Sequence, residues 1–282
     1  MRVLRMMAMS VGALAVAATP ASADVWSKTY NLSGKPELVV DADDAAVVIV
    51  SRAQNQIDAH LTTVGLRIGS DVQIRESQVA NRVEIDVRVP HLSFHLFGGS
   101  RSIRLELAVP RAADLDIHTG DGSINADPVS GNIRLDTGDG SISATGLSGD
   151  ARLHSGDGSI NATGLDGALD ANSGDGRISV RGRFDSLTLR SGDGSIDATA
   201  ADGSKIAGSW SVRTGDGSVT LRLPQSFAAD LDAHTGDGSI TLDFPVTVSG
   251  TFNRNTIRGK LQGGGPPLYV RSGDGSIRIE KL

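Results

Sequence analysis

Eight aspartates stand at the centre of a repeated phrase, and they are the most conspicuous chemical groups in the sequence. The phrase is Thr/Ser-Gly-Asp-Gly-Ser/Arg-Ile/Val, with four successive intervals of 18 residues followed by intervals of 23, 21 and 37. If the copies stack as neighbouring strands, their carboxylates lie about 4.8 Å apart and repel by roughly 1 kcal/mol per pair in water. The stack must therefore offset this repulsion. The aspartates are Asp121, Asp139, Asp157, Asp175, Asp193, Asp216, Asp237 and Asp274.

Two kinds of compensation suit these residue types. Each carboxylate can accept N–H groups of its own turn, as Asp commonly does. A row of calcium ions is the alternative, since calcium takes six to eight oxygen ligands. The phrase differs from the denser nine-residue calcium repeat of secreted β-proteins. We expect the local turn and no cofactor, and we keep calcium as the alternative, with candidate ligands Asp121, Asp139, Asp157, Asp175 and Asp193.

One copy of the phrase departs from the others and gathers charge around it. Arg177 replaces the usual Ser, and Arg181, Arg183 and Asp185 follow. A carbohydrate-active enzyme needs a singled-out pair of carboxylates, or a carboxylate with Lys or Arg. This is the one irregular patch that could supply such a group, because the other acids are repeated. We expect it to be a solvated surface, and we predict no catalytic residues.

Histidine and cysteine chemistry receives no support from the sequence. His118, His154 and His234 share one column of the aligned copies, but the first two are separated by a strand that carries Asp136. Two strand spacings, about 9.6 Å, are too long for two ligands of one zinc ion. The absence of cysteine excludes disulfides, thiolate metal sites and a cysteine nucleophile.

Short strands on both sides of Gly-Asp-Gly would position all of these residues. Apolar residues stand four and two places before the Thr/Ser, at the Ile/Val and two places after it, with polar residues between them. This alternation predicts strands with one buried face. A unit of 18 residues cannot bury that face alone, so the copies must stack. We predict an all-β repeat solenoid, a right-handed parallel coil by the crossover rule. An antiparallel meander with hairpins at Gly-Asp-Gly is the alternative.

The remaining chain divides into a leader and two β regions. Residues 1–23 have a basic start at Arg2 and Arg5, an apolar run and small residues at Ala21 and Ala23, the pattern of a secretory signal peptide. We predict a β-strand region at 24–110, and then the repeat solenoid at 111–282 with insertions near 204–209 and 245–267. No later apolar run is long enough to span a membrane.

Composition narrows the classes of partner. The 282 residues carry a net charge of −6 with a pI near 5.5, and 39% are hydrophobic. A core can form, and nucleic acid is a poor partner for an acidic chain without a basic cluster. Aromatic residues are only 4%, so the core must consist mainly of aliphatic side chains.

The chain resembles the bacterial family named "putative adhesin", which combines β-strand repeats with a domain of unknown function. The resemblance is carried by the leader, the early strands, the phrase at residues 105–110, the repeats from Leu115 onward and the closing segment from Gly263 to Ile277. It implies a β-helical or solenoid protein at or near the cell surface. No catalytic residues are agreed for the family, so the resemblance implies none for this chain.

These observations favour an exported, non-enzymatic, adhesin-like module that binds or supports other components at the cell envelope. Its expected partner is a glycan or an envelope protein. The expected location is the periplasm, the outer-membrane surface or the extracellular space, and the oligomeric state stays open. Two alternatives remain: a periplasmic envelope-stress or scaffold component, and a β-helix carbohydrate-active enzyme.

Overall fold

The computed structural model describes residues 23–90 and 101–282, so the predicted signal peptide lies outside the described residues except for Ala23. The described residues form 23 strands and no helix. The all-β class is therefore confirmed.

The strands fall into three groups along the chain. Those before the repeats are β1 (Ala23–Asn31), β2 (Glu37–Ala42), β3 (Ala46–Arg52), β4 (Gln56–Val64), β5 (Gln73–Val79), β6 (Arg82–Arg88) and β7 (Ser102–Pro110). Those of the first six copies are β8 (Asp114–Thr119), β9 (Ile124–Ala126), β10 (Ser130–Thr137), β11 (Ile142–Thr145), β12 (Ser148–Ser155), β13 (Ile160–Ser173), β14 (Ile178–Ser191), β15 (Ile196–Ala200), β16 (Trp210–Thr214) and β17 (Val219–Leu223). Those of the last two copies are β18 (Ala229–Thr235), β19 (Ile240–Leu242), β20 (Val246–Phe252), β21 (Thr256–Leu261), β22 (Pro267–Ser272) and β23 (Ile277–Lys281).

Alternation of side chains determines which face of each strand is buried. In β8, Leu115 and Ile117 are buried, whereas Asp116 and His118 are exposed. The same pattern recurs in β10, β12 and β16. The inward columns merge into one core made largely of Val, Ile, Leu and Ala, as the low aromatic content predicts.

The repeats stack as two parallel ladders, which confirms the solenoid and excludes the meander. The strand before each Gly-Asp-Gly joins the first ladder, and the strand after it joins the second. The 18-residue spacing holds the register, since Ile133 pairs with Leu115 and Ile142 pairs with Ile124. β13 and β14 are long enough to bend around the corner and contribute to both ladders. The right-handed sense of the coil stays a prediction.

The order of coils along the stack differs from their order in the chain at both ends. The first ladder runs β6, β2, β8, β10, β12, β13, β14, β16, β22, β18. The second ladder runs β7, β3, β9, β11, β13, β14, β15, β17, β23, β19. The last coil of the sequence thus lies inside the stack, between two earlier coils. At the other end, β2 and β3 are covered by β6 and β7.

Antiparallel strands cover three of the four ladder ends in the described residues, and β19 at the far end of the second ladder pairs only with β23. β5 pairs with β6, and β4 pairs with β7 and then with β1. At the far end, β21 pairs with β18 and then with β20. Such strands limit the open backbone edge that would otherwise invite pairing with another chain.

The Gly-Asp-Gly turns stack backbone on backbone. The N–H of Gly138 donates to Gly120 O at 2.7 Å, and the N–H of Gly156 donates to Gly138 O at 2.6 Å. A Cβ placed on Gly158 would lie closer than 3.0 Å to Gly140 O, a separation that real Cβ atoms essentially never show. Glycine is therefore needed in these turns because the next turn is so close.

A buried hydroxyl group joins each turn to its neighbour. Thr137 Oγ1 donates to Gly122 O at 2.8 Å, and Ser155 Oγ donates to Gly140 O at 2.8 Å. All eight copies have this bond, and each of the eight Thr/Ser residues is buried. The donors are Thr119, Thr137, Ser155, Ser173, Ser191, Thr214, Thr235 and Ser272.

Replacing Gly158 with Ala tests the backbone contact. We expect Gly158→Ala to lower the thermal unfolding midpoint by many degrees, because the new methyl group must push two coils apart. The matched control is Gly208→Ala, since a Cβ there meets nothing within 4 Å. Equal midpoints for the two variants, measured by circular dichroism, would contradict the close-contact explanation.

Replacing Ser155 with Ala tests how much the buried Thr/Ser hydroxyl contributes to stability. The variant leaves the buried Gly140 carbonyl without this donor, so we expect the free energy of unfolding to fall by about 1–2 kcal/mol. The control is Ser159→Ala, because Ser159 is an exposed residue of the same turn. Chemical denaturation of both variants measures the difference, and an unchanged Ser155→Ala protein would exclude a stabilising role for the hydroxyl.

Candidate binding surface

The outward side of the first ladder carries two adjacent rows of polar side chains. We name the residues immediately before each Thr/Ser the turn-side row, and those two places earlier the far row. The turn-side row, in order along the stack, is His118, Asp136, His154, Asn172, Arg190, Arg213, Arg271 and His234. The far row is Asp116, Arg134, Arg152, Asp170, Thr188, Ser211, Tyr269 and Asp232.

Opposite charges pair along the first half of these rows. Arg134 lies 3.8 Å from Asp116 and 3.4 Å from Asp136, and His118 Nδ1 lies 3.2 Å from Asp136 Oδ1. The register places Asp136 between His118 and His154, as the spacing predicts. Exposed pairs of this kind contribute little to stability, so these rows shape the surface more than they hold the fold.

A shallow depression of about 380 Å³ opens on this half of the surface. Polar side chains of successive coils stand around it, namely Arg134, Arg152, His154, Asp170, Asn172 and Arg190. Arg190 forms an ion pair with Asp170 at 3.5 Å. Arg152 has no ion-pair partner among the described residues. The depression thus offers guanidinium, imidazole and amide groups from successive coils to a ligand.

The repeated aspartates form an exposed edge at the turns, but their carboxylates do not hold the turns together. All eight are exposed, and within the described part of the chain none accepts a hydrogen bond from its own turn. The buried Thr/Ser hydroxyls join the turns instead. The expectation that each carboxylate accepts N–H groups of its own turn is therefore wrong. The backbone N–H of Asp139 instead donates to Gly120 O of the preceding coil at 3.3 Å.

The aspartate edge has a ninth member that the repeated phrase does not reveal. Asp43, Asp44 and Ala45 occupy the Gly-Asp-Gly positions of the β2–β3 coil, because Gly120 contacts Asp43 and Gly122 contacts Ala45. Burial, and then the charges of Asp121 and Asp43, raise the pKa of Asp44. Like-charge repulsion thus adds to the effect of burial at this end of the edge.

Calcium binding at this edge stays a prediction. Asp121, Asp139, Asp157, Asp175 and Asp193 lie on adjacent turns, as stacking requires. Across residues 23–90 and 101–282, no group of three or more His, Asp or Glu side chains is arranged to hold a metal ion.

The residues of the irregular patch do not converge on one site. Arg177 lies in its turn and Arg181 points outward from the second ladder, whereas Arg183 and Asp185 follow the corner of β14. Arg183 Nη1 donates to Asp185 Oδ1 at 2.7 Å, and its guanidinium also pairs with Asp166. The Arg183 guanidinium lowers the pKa of Asp185. These charges satisfy one another on the surface.

Sequence reasoning missed the feature that now stands out on the turn-side row. Arg190, Arg213 and Arg271 are consecutive along the stack, with Arg213 in register with both others. The signal was present, because all three precede a Thr/Ser of the phrase. Chain order concealed it by placing His234 between Arg213 and Arg271.

Comparison with known proteins identifies relatives of this fold. A family model described as Toastrack DUF4097 matches residues 36–280. No curated protein matches the chain significantly. Within the residues that the structure describes, no helix has the length and hydropathy that a membrane crossing requires.

Solved structures resemble the chain at low sequence identity. A "putative lipid binding protein" from Parabacteroides distasonis is 13% identical with a TM-score of 0.50, over 93% of this chain and 98% of that one. A "putative adhesin" from Bacteroides fragilis is 11% identical with a TM-score of 0.40, over 94% and 100%. A "putative cell adhesion protein" from Clostridium sporogenes is 14% identical with a TM-score of 0.33, over 93% and 100%. Similarity at these identities bears on the fold alone. Of the three structures, only the one from Parabacteroides distasonis is similar enough to support a shared fold.

Two aspartate variants test the charge assignments through pH, and a third tests the role of the repeated carboxylate. Burial opposes ionisation of Asp232, but the Arg271 and Arg258 guanidiniums outweigh it and lower its pKa. The resulting stabilisation is present above the ordinary aspartate pKa and is lost as the pH falls through the lowered value. The raised pKa of Asp44 acts in the opposite sense: its charge destabilises the fold at neutral pH, and acidification removes that cost.

We therefore expect Asp232→Asn to reduce the free energy of unfolding by about 1–2 kcal/mol at pH 7, and Asp44→Asn to increase it slightly. Asp157→Asn, which removes an exposed carboxylate without hydrogen bonds, should be neutral or slightly stabilising. The Asp232→Asn difference should shrink as the pH falls through the lowered pKa of Asp232, and the Asp44→Asn difference should shrink as the pH falls through the raised pKa of Asp44. Thermal unfolding across pH measures them, and a clear loss of stability in Asp157→Asn would restore a structural role for the repeated carboxylate.

Proposed function

The chain belongs to the Toastrack DUF4097 family, and we propose that it is an exported, non-catalytic, adhesin-like module that binds a component of the cell envelope. The observation that carries this proposal is the outward face of the first ladder. It presents arginine, histidine and amide groups from successive coils on a backbone that is hydrogen-bonded coil to coil. Such a face is preorganised for an extended partner, because its backbone loses little conformational freedom on binding.

The face has the chemistry of binding rather than of catalysis. Its depression contains the carboxylates of Asp136 and Asp170, and both form ion pairs with arginine. A general acid instead needs a carboxyl group whose pKa is raised in a sheltered site. The raised pKa of Asp44 belongs to an exposed turn at the end of the stack. A β-helix carbohydrate-active enzyme therefore has less support than a binding module.

Export rests on the sequence of the leader. Its basic start, apolar run and small residues before Asp24 have the pattern that signal peptidase recognises. A bacterial protein with such a leader and no cysteine suits the envelope, where its stability would come from the stacked turns.

Protease treatment of intact cells tests the location. We expect a C-terminal tag on the full-length protein to be cleaved on intact cells if the module is at the surface, and only after outer-membrane permeabilisation if it is periplasmic. Either result agrees with export, and the second favours the scaffold alternative over adhesion.

A leader variant supplies the control. Leu14→Arg places a charge in the apolar run, so the protein should stay in the cytoplasm and resist protease until the cells are lysed. If the unaltered protein behaves like Leu14→Arg, the proposed export is wrong.

A further inference from the structure

Positive charge is concentrated where three arginines follow one another on neighbouring strands. Arg190 on β14, Arg213 on β16 and Arg271 on β22 are paired in register. Adjacent strands are about 4.8 Å apart, so the row extends for roughly 10 Å. We name these three residues the arginine row.

The centre of the arginine row is not neutralised. Arg190 forms an ion pair with Asp170 at 3.5 Å, and Arg271 forms one with Asp232 at 2.9 Å. These acids stand at opposite ends of the row. Arg213 lies between them, exposed and without an ion-pair partner in the described part of the chain. Three like charges held in register favour an anion that can bridge them.

Neutral hydroxyl groups line the row on one side. Thr188, Ser211 and Tyr269 occupy the far row beside the three arginines and are partly exposed. Hydroxyls donate and accept hydrogen bonds, and the Tyr269 ring adds an apolar face with a polar tip. Arginines beside hydroxyls and one aromatic ring match a ligand that has both acidic and hydroxyl groups.

The aspartate edge limits how a ligand can lie. Asp193, Asp216 and Asp274 are exposed and follow the three arginines by three residues each. An anionic chain that crossed the strands would meet these carboxylates. A chain that runs along the stack axis meets only arginines and hydroxyls until it reaches Asp170 or Asp232.

We propose that the arginine row binds a short stretch of an anionic polysaccharide, one that carries carboxylate or sulfate groups, lying along the stack axis. This inference deepens the proposed function and rests on it. Guanidinium forks pair with carboxylate or sulfate oxygens, while the hydroxyl side chains and Tyr269 contact the sugar rings. A membrane surface fits less well, because the large exposed apolar side chains in the described residues, Val25, Val79 and Leu282, are not on either row.

Titration calorimetry on the purified exported protein tests the site. The probes are dextran sulfate and polygalacturonate, with neutral dextran as the polymer control, sodium sulfate as the free anion and phosphatidylglycerol vesicles as the anionic surface. We expect the two anionic polymers to bind, neutral dextran not to bind, and the binding to weaken as salt is raised.

Two single-charge variants locate the binding. Arg213→Gln should raise the Kd for dextran sulfate about tenfold, because it removes a charge-assisted contact. Arg181→Gln is the matched control, since Arg181 is also exposed without an ion pair in the described chain but points from the second ladder. It should change the Kd less than twofold. Arg213→Lys keeps the charge, so it should retain most of the binding. This variant also keeps the inference testable if the Arg213→Gln protein fails to fold.

The outcomes separate this inference from others. Equal losses in Arg213→Gln and Arg181→Gln would overturn it, because binding would then follow net charge alone. Binding to vesicles without binding to polymers would assign the row to a membrane, and free sulfate binding as tightly as the polymers would assign it to a small anion. If the protein is exported but binds no anionic polymer, this inference is wrong and the proposed function is unaffected. Retention in the cytoplasm overturns the proposed function, whatever the calorimetry shows.

Discussion

Successive Gly-Asp-Gly turns lie in close backbone contact, and this contact sets the spacing and register of both ladders. The glycines bring each backbone against the next, and the buried Thr/Ser hydroxyl donates to the carbonyl beneath it. Because this contact repeats at the same place in every coil, the strands on both sides remain in register. The apolar columns can then merge into one core although no single coil could bury its own apolar face.

Strict register also determines the electrostatics of the surface. A residue at a given position of one coil lies beside the same position of the next, so a row of identical residues becomes a row of identical charges. Along the first half of the surface, charges of both signs lie close together, and Arg134 pairs with Asp116 and Asp136. Along the second half, three arginines come together. With the backbone nearly invariant, the composition of these rows is the variable that distinguishes one part of the surface from another.

The spacing of the phrase and the period-two alternation predicted the solenoid, its buried columns and the place of Asp136 between two histidines, because these depend on local sequence. Three features lay beyond such reasoning. The order of coils at the ends depends on which strands meet in space, and long connections hide it. Sequence reasoning assigns the structural role of Thr137 and its equivalents to the carboxylate two residues later, since both residue types favour turns. Asp44 lacks the flanking glycines, so only stacking reveals it as a member of the edge.

The internal position of the last coil has a consequence for how the chain reaches its folded state. β22 and β23 lie between β16–β17 and β18–β19, so the core at that end contains strands that follow both of their neighbours in the chain. Synthesis from the N-terminus can add the earlier coils one after another, but the stack cannot close until residue 281 is available. Until then β17 presents an unpaired edge, the kind of surface on which partly made repeat proteins aggregate. A chain that emerges N-terminus first therefore completes this part of the stack only after β22 and β23 have followed β18 and β19, which links closure of the core to a late step of chain emergence.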